Sequence, residues 1–129
     1  NNNTDYKQVS LETLLQTCAI VTIHSPLNTK TEHLIESRHL KMMTDRSIIV
    51  NVGRGGIIDE FALASVIDEK EFYAGLDVLP KEPIQDNHPL LGIKHKERLH
   101  LTPHIAWTSI EARIKLLEGV YNNIKQFQQ

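Results

Sequence analysis

Runs of β-branched residues alternate with helix-like segments along this chain, and that alternation limits its fold more than any other feature. Strands are predicted at residues 19–24, 47–52, 72–78 and 99–101. Helical segments are predicted at residues 11–15, 36–43, 59–67 and 108–127. Nearly every residue of the strands is apolar, which is typical of parallel strands that helices cover on both faces. The sequence therefore predicts an α/β fold built on a doubly wound parallel sheet.

Several helix starts carry capping residues. Ser10 and Asp59 are predicted N-caps, and Thr108 with Glu111 is predicted to form a capping box. Residues 6–9 are predicted to add a very short strand at the edge of the sheet. The last helix has one apolar stripe, formed by Ile110, Ile114, Leu117, Tyr121 and Ile124.

Composition excludes several classes of protein. The chain has 129 residues, is 40% hydrophobic and carries a formal net charge of −2, which suits one globular domain. This charge balance does not indicate the excess of basic residues that binding to nucleic acid or an anionic membrane requires. No apolar run is long enough to span a bilayer. Cys18 is the single cysteine, which excludes an intrachain disulfide and fits a reducing compartment such as the cytoplasm.

Side chains that could take part in binding or catalysis follow all four predicted strands. The strands end on His24, Arg54, Asp77 and His104 in chain order. Each one alone has an ordinary interpretation, because strand-end histidines usually satisfy hydrogen bonds and arginines usually face solvent. Ligands of open parallel sheets bind beyond the carboxyl ends of the strands, so the four together indicate a binding edge.

Two further features bear on this edge. The run from Gly53 to Gly56 is neither a dinucleotide-type glycine motif nor a Walker loop, so it is interpreted as a tight turn that projects Arg54 into a cleft. Arginine there suits a carboxylate ligand. Glu82 lies between two prolines and is either a surface residue or the carboxylate partner of His104. The seven histidines are scattered, and no metal site is predicted.

Several ordered motifs resemble those of the D-2-hydroxyacid dehydrogenase family. They occupy residues 24–28, 50–60, 74–78 with Glu82 and Pro83, 88–91, and 102–107. The likeness runs from about Ser10 to the C-terminal helix. The form of the motif around His104, with Glu111 after it, is more similar to the glycerate dehydrogenase or hydroxypyruvate reductase branch. Glutamate at position 82 favours a hydroxyacid dehydrogenase over a formate dehydrogenase, where glutamine partners the histidine.

The resemblance implies an NAD-dependent oxidoreductase that interconverts a small 2-oxo acid and a D-2-hydroxy acid. Arg54 would bind the substrate carboxylate, His104 would exchange the proton of the substrate oxygen, and Glu82 would keep His104 protonated at higher pH. Asp77 would meet the nicotinamide carboxamide. NADP remains open beside NAD, and the parent enzyme is expected to be a homodimer. The residues implied in cofactor binding are His24, Ser25, Pro26, Val52, Gly53, Arg54, Asp77, His104 and Ala106.

The chain departs from this family in length. Family members are more than twice as long and carry a glycine-rich pyrophosphate turn that these 129 residues lack. The chain, which begins with Asn-Asn-Asn-Thr rather than Met, is thus expected to start inside a larger enzyme. Residues 1–107 would form the C-terminal part of a Rossmann-type NAD-binding domain, and residues 108–129 a helix returning towards the substrate domain.

Three expectations follow for the isolated chain. It should be inactive and should bind NADH no tighter than millimolar. It should also either self-associate along its first buried strand or leave residues 1–9 poorly ordered. Two alternatives to the enzyme remain open, namely a non-catalytic NAD-binding module like the corepressors of this fold family, and an inactive truncated remnant.

Overall fold

A single parallel sheet organises the chain. The structure is a computed structural model, and it describes residues 7–128. The strands are β1 (Ile20–Ile23), β2 (Ile48–Asn51), β3 (Tyr73–Leu76) and β4 (Leu99–Leu101), and they neighbour one another in that order. All pairs are parallel, with Val21 opposite Ile49 and Ile49 opposite Ala74. The α/β class and the parallel sheet are therefore confirmed.

Within residues 7–128, four α-helices accompany the sheet. They are α1 (Leu11–Thr17), α2 (Ser37–Met42), α3 (Glu60–Glu69) and α4 (Ile110–Phe127), and short 3₁₀ turns lie at Pro89–Gly92 and Lys96–Arg98. Among residues 7–128, no helix is both long enough and apolar enough to cross a membrane.

Two predicted helix caps are confirmed and one is wrong. The side chains of Ser10 and Asp59 accept hydrogen bonds from backbone amides in the first turns of α1 and α3. The N-cap of α4 is Ser109, one residue later than predicted. Thr108 does not cap, because its hydroxyl donates to the carbonyl of Ile105 at 2.6 Å. The Thr108 hydroxyl therefore bonds within the turn before α4 and does not form the predicted capping box.

The short strand predicted at residues 6–9 is wrong where the structure describes it. Residues 7–9 are exposed and lie outside every strand, while Tyr6 lies outside the described residues. The predicted association along β1, or disorder of residues 1–9, rests mainly on residues 1–6 and on solution behaviour, and it stays a prediction. Ile20, on the sheet face away from the core, is 61% exposed.

Helices cover one face of this sheet, so the prediction of burial on both faces is wrong for the described residues. Val21 and Ile23 are buried while Ile20 and Thr22 are exposed, and β2 and β3 alternate in the same sense. The strands follow one another in order, and right-handed crossovers then place every connecting helix on the same side. The core lies between that face and α1–α3, where Leu15, Leu40, Ile49, Leu63 and Phe72 are fully buried.

The final helix stands apart from this core. No residue of α4 is buried. Its predicted apolar stripe exists, but the five stripe residues are between 51% and 69% exposed.

Candidate active site

The loops that follow the four strands meet at the carboxyl edge of the sheet, as predicted. The loops after β1 and β2 approach so closely that a Cβ on Gly53 would lie 2.8 Å from the carbonyl oxygen of Ser25. Glycine at position 53 is what allows this approach. Between the two loops lies an open cleft of about 590 Å³. Its lining is formed by His24, Ser25, Pro26, Leu27, Val52, Gly53 and Arg54.

Arg54 lies on a tight turn directly after β2. Gly56 in this turn has a φ of 81°, a left-handed conformation that favours glycine. The guanidinium of Arg54 is exposed, and its Nη1 donates to the carbonyl of Gly53 at 2.8 Å. Within residues 7–128 it forms no ion pair with a carboxylate. Its charge is therefore available to an anionic ligand in the cleft.

Glu82 and His104 form a hydrogen-bonded pair at the far end of the same edge. Nδ1 of His104 lies 2.9 Å from Oε2 of Glu82, and the other carboxylate oxygen of Glu82 accepts the backbone N–H of Leu79 at 2.9 Å. The Leu79 N–H and then the His104 ring hold the pKa of Glu82 below its ordinary value, so Glu82 is ionised at neutral pH. An ionised carboxylate only accepts hydrogen bonds, so Nδ1 carries the donated proton and Nε2 is left to exchange one.

Asp77 anchors the loop that carries His104. Its carboxylate, only 4% exposed, accepts the hydroxyl of Thr102 at 2.5 Å and the backbone N–H groups of Ile105 and Ala106, each at 2.8 Å. Burial raises the pKa of Asp77, but the bonds from Thr102, Ala106 and Ile105 outweigh burial and set the pKa below its ordinary value. Three donors on both sides of His104 thus converge on one charged group.

The backbone of His104 adopts an unusual conformation within this loop. Its φ is 56°, in the left-handed region that a residue with a Cβ rarely occupies. Hydrogen bonds on each side of His104 maintain it, since its N–H donates to the carbonyl of Thr102 and its carbonyl accepts from the Trp107 indole, both at 3.0 Å. Strained backbone that its surroundings hold in place is common at functional sites.

The Arg54 turn packs directly against the loop that carries Glu82. A Cβ on Gly55 would overlap the backbone of Leu79 and Pro80, so only glycine permits this contact. Arg54 itself forms no hydrogen bond to Glu82 or His104 among the described residues. A second cavity of about 430 Å³ borders the pair. It is lined by Asp77, Leu79, Glu82, Pro83, Ile84, Leu101, Thr102, Pro103 and His104.

The predicted site residues fall into three connected groups. His24, Ser25, Pro26, Val52, Gly53 and Arg54 line one cleft, Glu82 contacts His104, and Asp77 contacts the backbone of Ala106. In residues 7–128 no hydrogen bond or ion pair joins Arg54 to Glu82 or His104, and the close approach of Gly55 to Leu79 and Pro80 links their loops.

Three functional candidates escaped the sequence analysis. Asn51 bonds to the turn of Arg54, Thr102 bonds to Asp77, and the Leu79 N–H bonds to Glu82. Asn51 alone had a signal in the sequence, since it is a polar residue within an otherwise apolar strand.

Another acid–histidine contact lies outside this edge. Nε2 of His88 is 2.8 Å from Oε2 of the buried Glu60. Burial, and then the charge of Asp59, raise the pKa of Glu60 to about 7, while burial lowers the pKa of His88. This contact joins α3 to the loop before β4.

Comparison with known proteins connects this geometry to one family. The sequence model described as D-isomer specific 2-hydroxyacid dehydrogenase, NAD binding domain, matches residues 1–106. A hydroxypyruvate reductase from Blautia hydrogenotrophica is 36% identical over 126 residues, which cover 97% of this chain and 38% of that protein.

Two solved structures are similar to this fold. A D-lactate dehydrogenase from Aquifex aeolicus, complexed with NAD and lactic acid, matches with a TM-score of 0.77 at 26% identity, covering 92% of this chain and 40% of that one. An acyclic imino acid reductase in complex with NADPH and D-Arg matches with a TM-score of 0.85 at 32% identity, covering 99% and 40%.

This chain spans about two fifths of the length of these proteins. Their likeness confirms the predicted fold class, the C-terminal part of a Rossmann-type domain with a doubly wound parallel sheet. The chain belongs to the family of D-isomer specific 2-hydroxyacid dehydrogenases, in the NAD-binding domain.

Proposed function

We propose that the protein carrying this chain is an NAD-dependent oxidoreductase that interconverts a small 2-oxo acid and a D-2-hydroxy acid. The observation that carries this proposal is the 2.9 Å contact between Glu82 and His104, on the same sheet edge as the exposed charge of Arg54. A proton donor and an unpaired guanidinium are what reduction of a carbonyl beside a carboxylate requires.

The cleft between the loops after β1 and β2 fits part of a dinucleotide. Ser25, Pro26, Val52 and Gly53 offer small side chains and backbone at the point where open parallel sheets bind such ligands. His24, Leu27 and Arg54 complete the lining. NAD(H), when bound, supplies or accepts the hydride. NADP stays an alternative, because one matched structure is a complex with NADPH.

Arg54 is the proposed carboxylate ligand. Its guanidinium is exposed, keeps its charge at any physiological pH and presents two parallel donors to a carboxylate. Bound in this way, the carboxylate of the substrate fixes the position of the neighbouring carbonyl carbon.

His104 is the proposed proton donor in reduction and acceptor in oxidation. Glu82 fixes the ring through Nδ1, so that Nε2 is the atom that exchanges a proton with the substrate oxygen. The negative charge of Glu82 stabilises the protonated ring.

Asp77 is proposed to contact the nicotinamide carboxamide in addition to anchoring the His104 loop. An ionised carboxylate offers about four acceptor positions, and three are used within the loop. A carboxamide N–H is suited to the remaining position. His104 and Ala106 lie beside Asp77 and are proposed to border the same ring.

The remaining features of the proposal concern the whole protein. Residues 1–107 are proposed as the C-terminal part of the NAD-binding domain and residues 108–129 as a helix that returns to the substrate domain. The family match at residues 1–106 and the exposed α4 support this division. A homodimer is proposed from the family resemblance, a cytoplasmic location from the single cysteine, and the lack of a nucleic-acid partner from the near-neutral charge.

The alternative of a non-catalytic NAD-binding module is not favoured. The relatives that match are described as reductases and dehydrogenases, including the hydroxypyruvate reductase and D-lactate dehydrogenase above.

The proposal is tested by turnover of NADH with hydroxypyruvate and with glyoxylate in the full protein that carries this chain. We expect His104→Gln to lower kcat by about 10²–10⁴-fold, the usual contribution of a general acid. His100→Gln is the matched control, because His100 is an exposed histidine on β4 outside the proposed site. An inactive wild-type protein, or a His104→Gln protein as active as the control, would contradict the proposal.

A further inference from the structure

We propose that Asn51 is a positioning residue that sets the direction in which Arg54 meets the substrate. Asn51 is the last residue of β2 and is only 1% exposed. The inference rests on the proposed function in one respect, namely that Arg54 holds the substrate carboxylate.

Both ends of the Asn51 carboxamide bond to the turn that follows it. Oδ1 accepts the backbone N–H of Gly53 at 3.0 Å, and Nδ2 donates to the backbone carbonyl of Arg54 at 2.8 Å. The side chain therefore bridges the N–H of Gly53 and the carbonyl of Arg54, the two backbone groups that flank the peptide unit joining these residues. Such bonds replace backbone pairing where a strand ends and a turn begins.

Only one orientation of the carboxamide satisfies these partners. A backbone N–H can only donate and a carbonyl can only accept, so the oxygen must face Gly53 and the nitrogen must face Arg54. Because the group is buried, losing either bond leaves a backbone group without a partner. Among the natural side chains of this length, neutral asparagine meets both requirements directly, whereas ionised aspartate meets one.

The backbone of Asn51 ties this turn to the rest of the site. Its carbonyl accepts the N–H of Asp77 at 3.0 Å, and Asp77 anchors the loop of His104. Asn51 thus lies between the arginine turn and the histidine loop, and it is not among the residues that line the cleft. Its side chain acts on the cleft through the backbone of Gly53 and Arg54, and a double-mutant cycle isolates the part of its effect that passes through Arg54.

The decisive experiment is a double-mutant cycle in the full protein that carries this chain, with glyoxylate and NADH as substrates. We expect Asn51→Ala to raise the KM for glyoxylate about tenfold and to change the KM for NADH less. In an Arg54→Gln background the same change should alter kcat/KM for glyoxylate less than twofold, because the group it positions is gone.

Ser47→Ala is the matched control. Ser47 precedes the other end of β2, is fully buried, and bonds through its hydroxyl to Thr44 at 3.0 Å. Ser47→Ala removes a part-buried hydrogen bond next to the same strand, at the end that lies far from Arg54. We expect its KM for glyoxylate to match that of the wild type. Equal effects of Asn51→Ala with and without Arg54, or equal effects of Asn51→Ala and Ser47→Ala, would overturn the inference.

Asn51→Asp gives a second, pH-dependent readout. Protonated aspartic acid has the shape of asparagine, with a carbonyl for Gly53 and an O–H for the carbonyl of Arg54, whereas the ionised form sets two acceptors against each other. The ratio of its KM for glyoxylate to the wild-type value should therefore fall as pH falls. A ratio that is constant with pH would contradict the assigned bonds.

Failure of the proposed function is distinguishable from failure of this inference. If the wild-type protein turns over no 2-oxo acid, the function is wrong, and amide hydrogen exchange in the 129-residue chain then decides the role of Asn51. Asn51→Ala should speed exchange at the Gly53 amide at least tenfold, while Ser47→Ala should leave it unchanged. Unchanged exchange in Asn51→Ala would refute the inference without any reference to activity.

Discussion

Asp77 shows how one side chain can hold a catalytic loop. Its three hydrogen bonds reach Thr102, Ile105 and Ala106, which flank His104 in the sequence. The left-handed φ of His104 needs such restraint, because strained backbone persists only where surrounding contacts over-determine it. A neutral amide at position 77 would oppose one of its own N–H groups to a backbone N–H.

Asp77→Asn is therefore expected to destabilise the chain by about 2–3 kcal/mol at neutral pH, since bonds to charged groups exceed neutral ones. The lowered pKa of Asp77 means that this stabilisation is fully present above the unfolded value of about 3.9 and is lost as pH falls through the folded value. The stability difference between wild type and variant should shrink in acid. Urea unfolding at neutral and acidic pH measures both values.

Thr102→Val is the control for this series, because it removes one of the three bonds and leaves the carboxylate. It should cost about 1 kcal/mol. An Asp77→Asn variant with the same deficit at every pH would show that the charge of Asp77 does not act as described.

Single residues differ in how far the sequence could reveal them. Pairing with His104 was one of two interpretations of Glu82 from the sequence and was implied by the family resemblance, and this contact occurs. The anchoring bonds of Asp77 were not predicted, since their donors lie 25 or more residues away and depend on loop closure. Asn51 was missed because strand patterning assigns the last residue of β2 to the sheet, whereas its side chain bonds to the turn that follows.

At the scale of elements, glycines decide how closely the loops of the site approach each other. Gly55 lies against the backbone of Leu79 and Pro80, and this contact couples the Arg54 turn to the loop of Glu82. Backbone on both sides leaves no flexible side chain that could move aside. The loops after β2 and β3 therefore behave as one packed unit.

Gly55→Ala is expected to cost more than about 2 kcal/mol of unfolding free energy, since overpacking against rigid backbone typically costs 1–3 kcal/mol. Gly92→Ala is the matched control, because a Cβ there meets nothing within 4 Å. It should change stability by less than about 0.5 kcal/mol. Urea unfolding followed by circular dichroism compares the two, and equal stability of both variants would show that the two loops separate readily.

Elements were predictable where local chemistry determines them. The four strands and the caps at Ser10 and Asp59 occur as predicted, because β-branched runs and capping hydroxyls or carboxylates act over a few residues. The start of α4 was wrong by one residue, because the Thr108 hydroxyl bonds within the preceding turn. A local hydrogen bond to a carbonyl three residues earlier, which the capping pattern does not include, decided that position.

At the scale of the whole molecule, apolar patterning predicted burial that the described residues do not provide. Apolar residues lie on both faces of β1, yet helices α1–α3 cover one face. Strand order explains the difference, since four strands in sequential order place all right-handed crossovers on one side. The pattern of apolar residues predicts that a surface is buried, but it does not identify the element that covers that surface.

Helix α4, like the open face of the sheet, carries apolar residues that the described residues leave exposed. An 18-residue helix with no buried residue adds little to the cooperative stability of the core, because tertiary packing rather than propensity stabilises most helices. Deleting residues 110–129 should therefore change the free energy of unfolding of this chain by less than about 1 kcal/mol. Urea unfolding followed by circular dichroism measures this value.

Leu63→Ala in α3 calibrates that experiment. Leu63 is fully buried, and truncating such a leucine costs about 2–5 kcal/mol. If the deletion costs as much as Leu63→Ala, then α4 packs against the sheet in solution and its exposed stripe is not free. If the deletion is silent while Leu63→Ala is not, the core defined by α1–α3 and the sheet folds without the helix, and the strand-end loops that carry Arg54, Glu82 and His104 depend on that core alone.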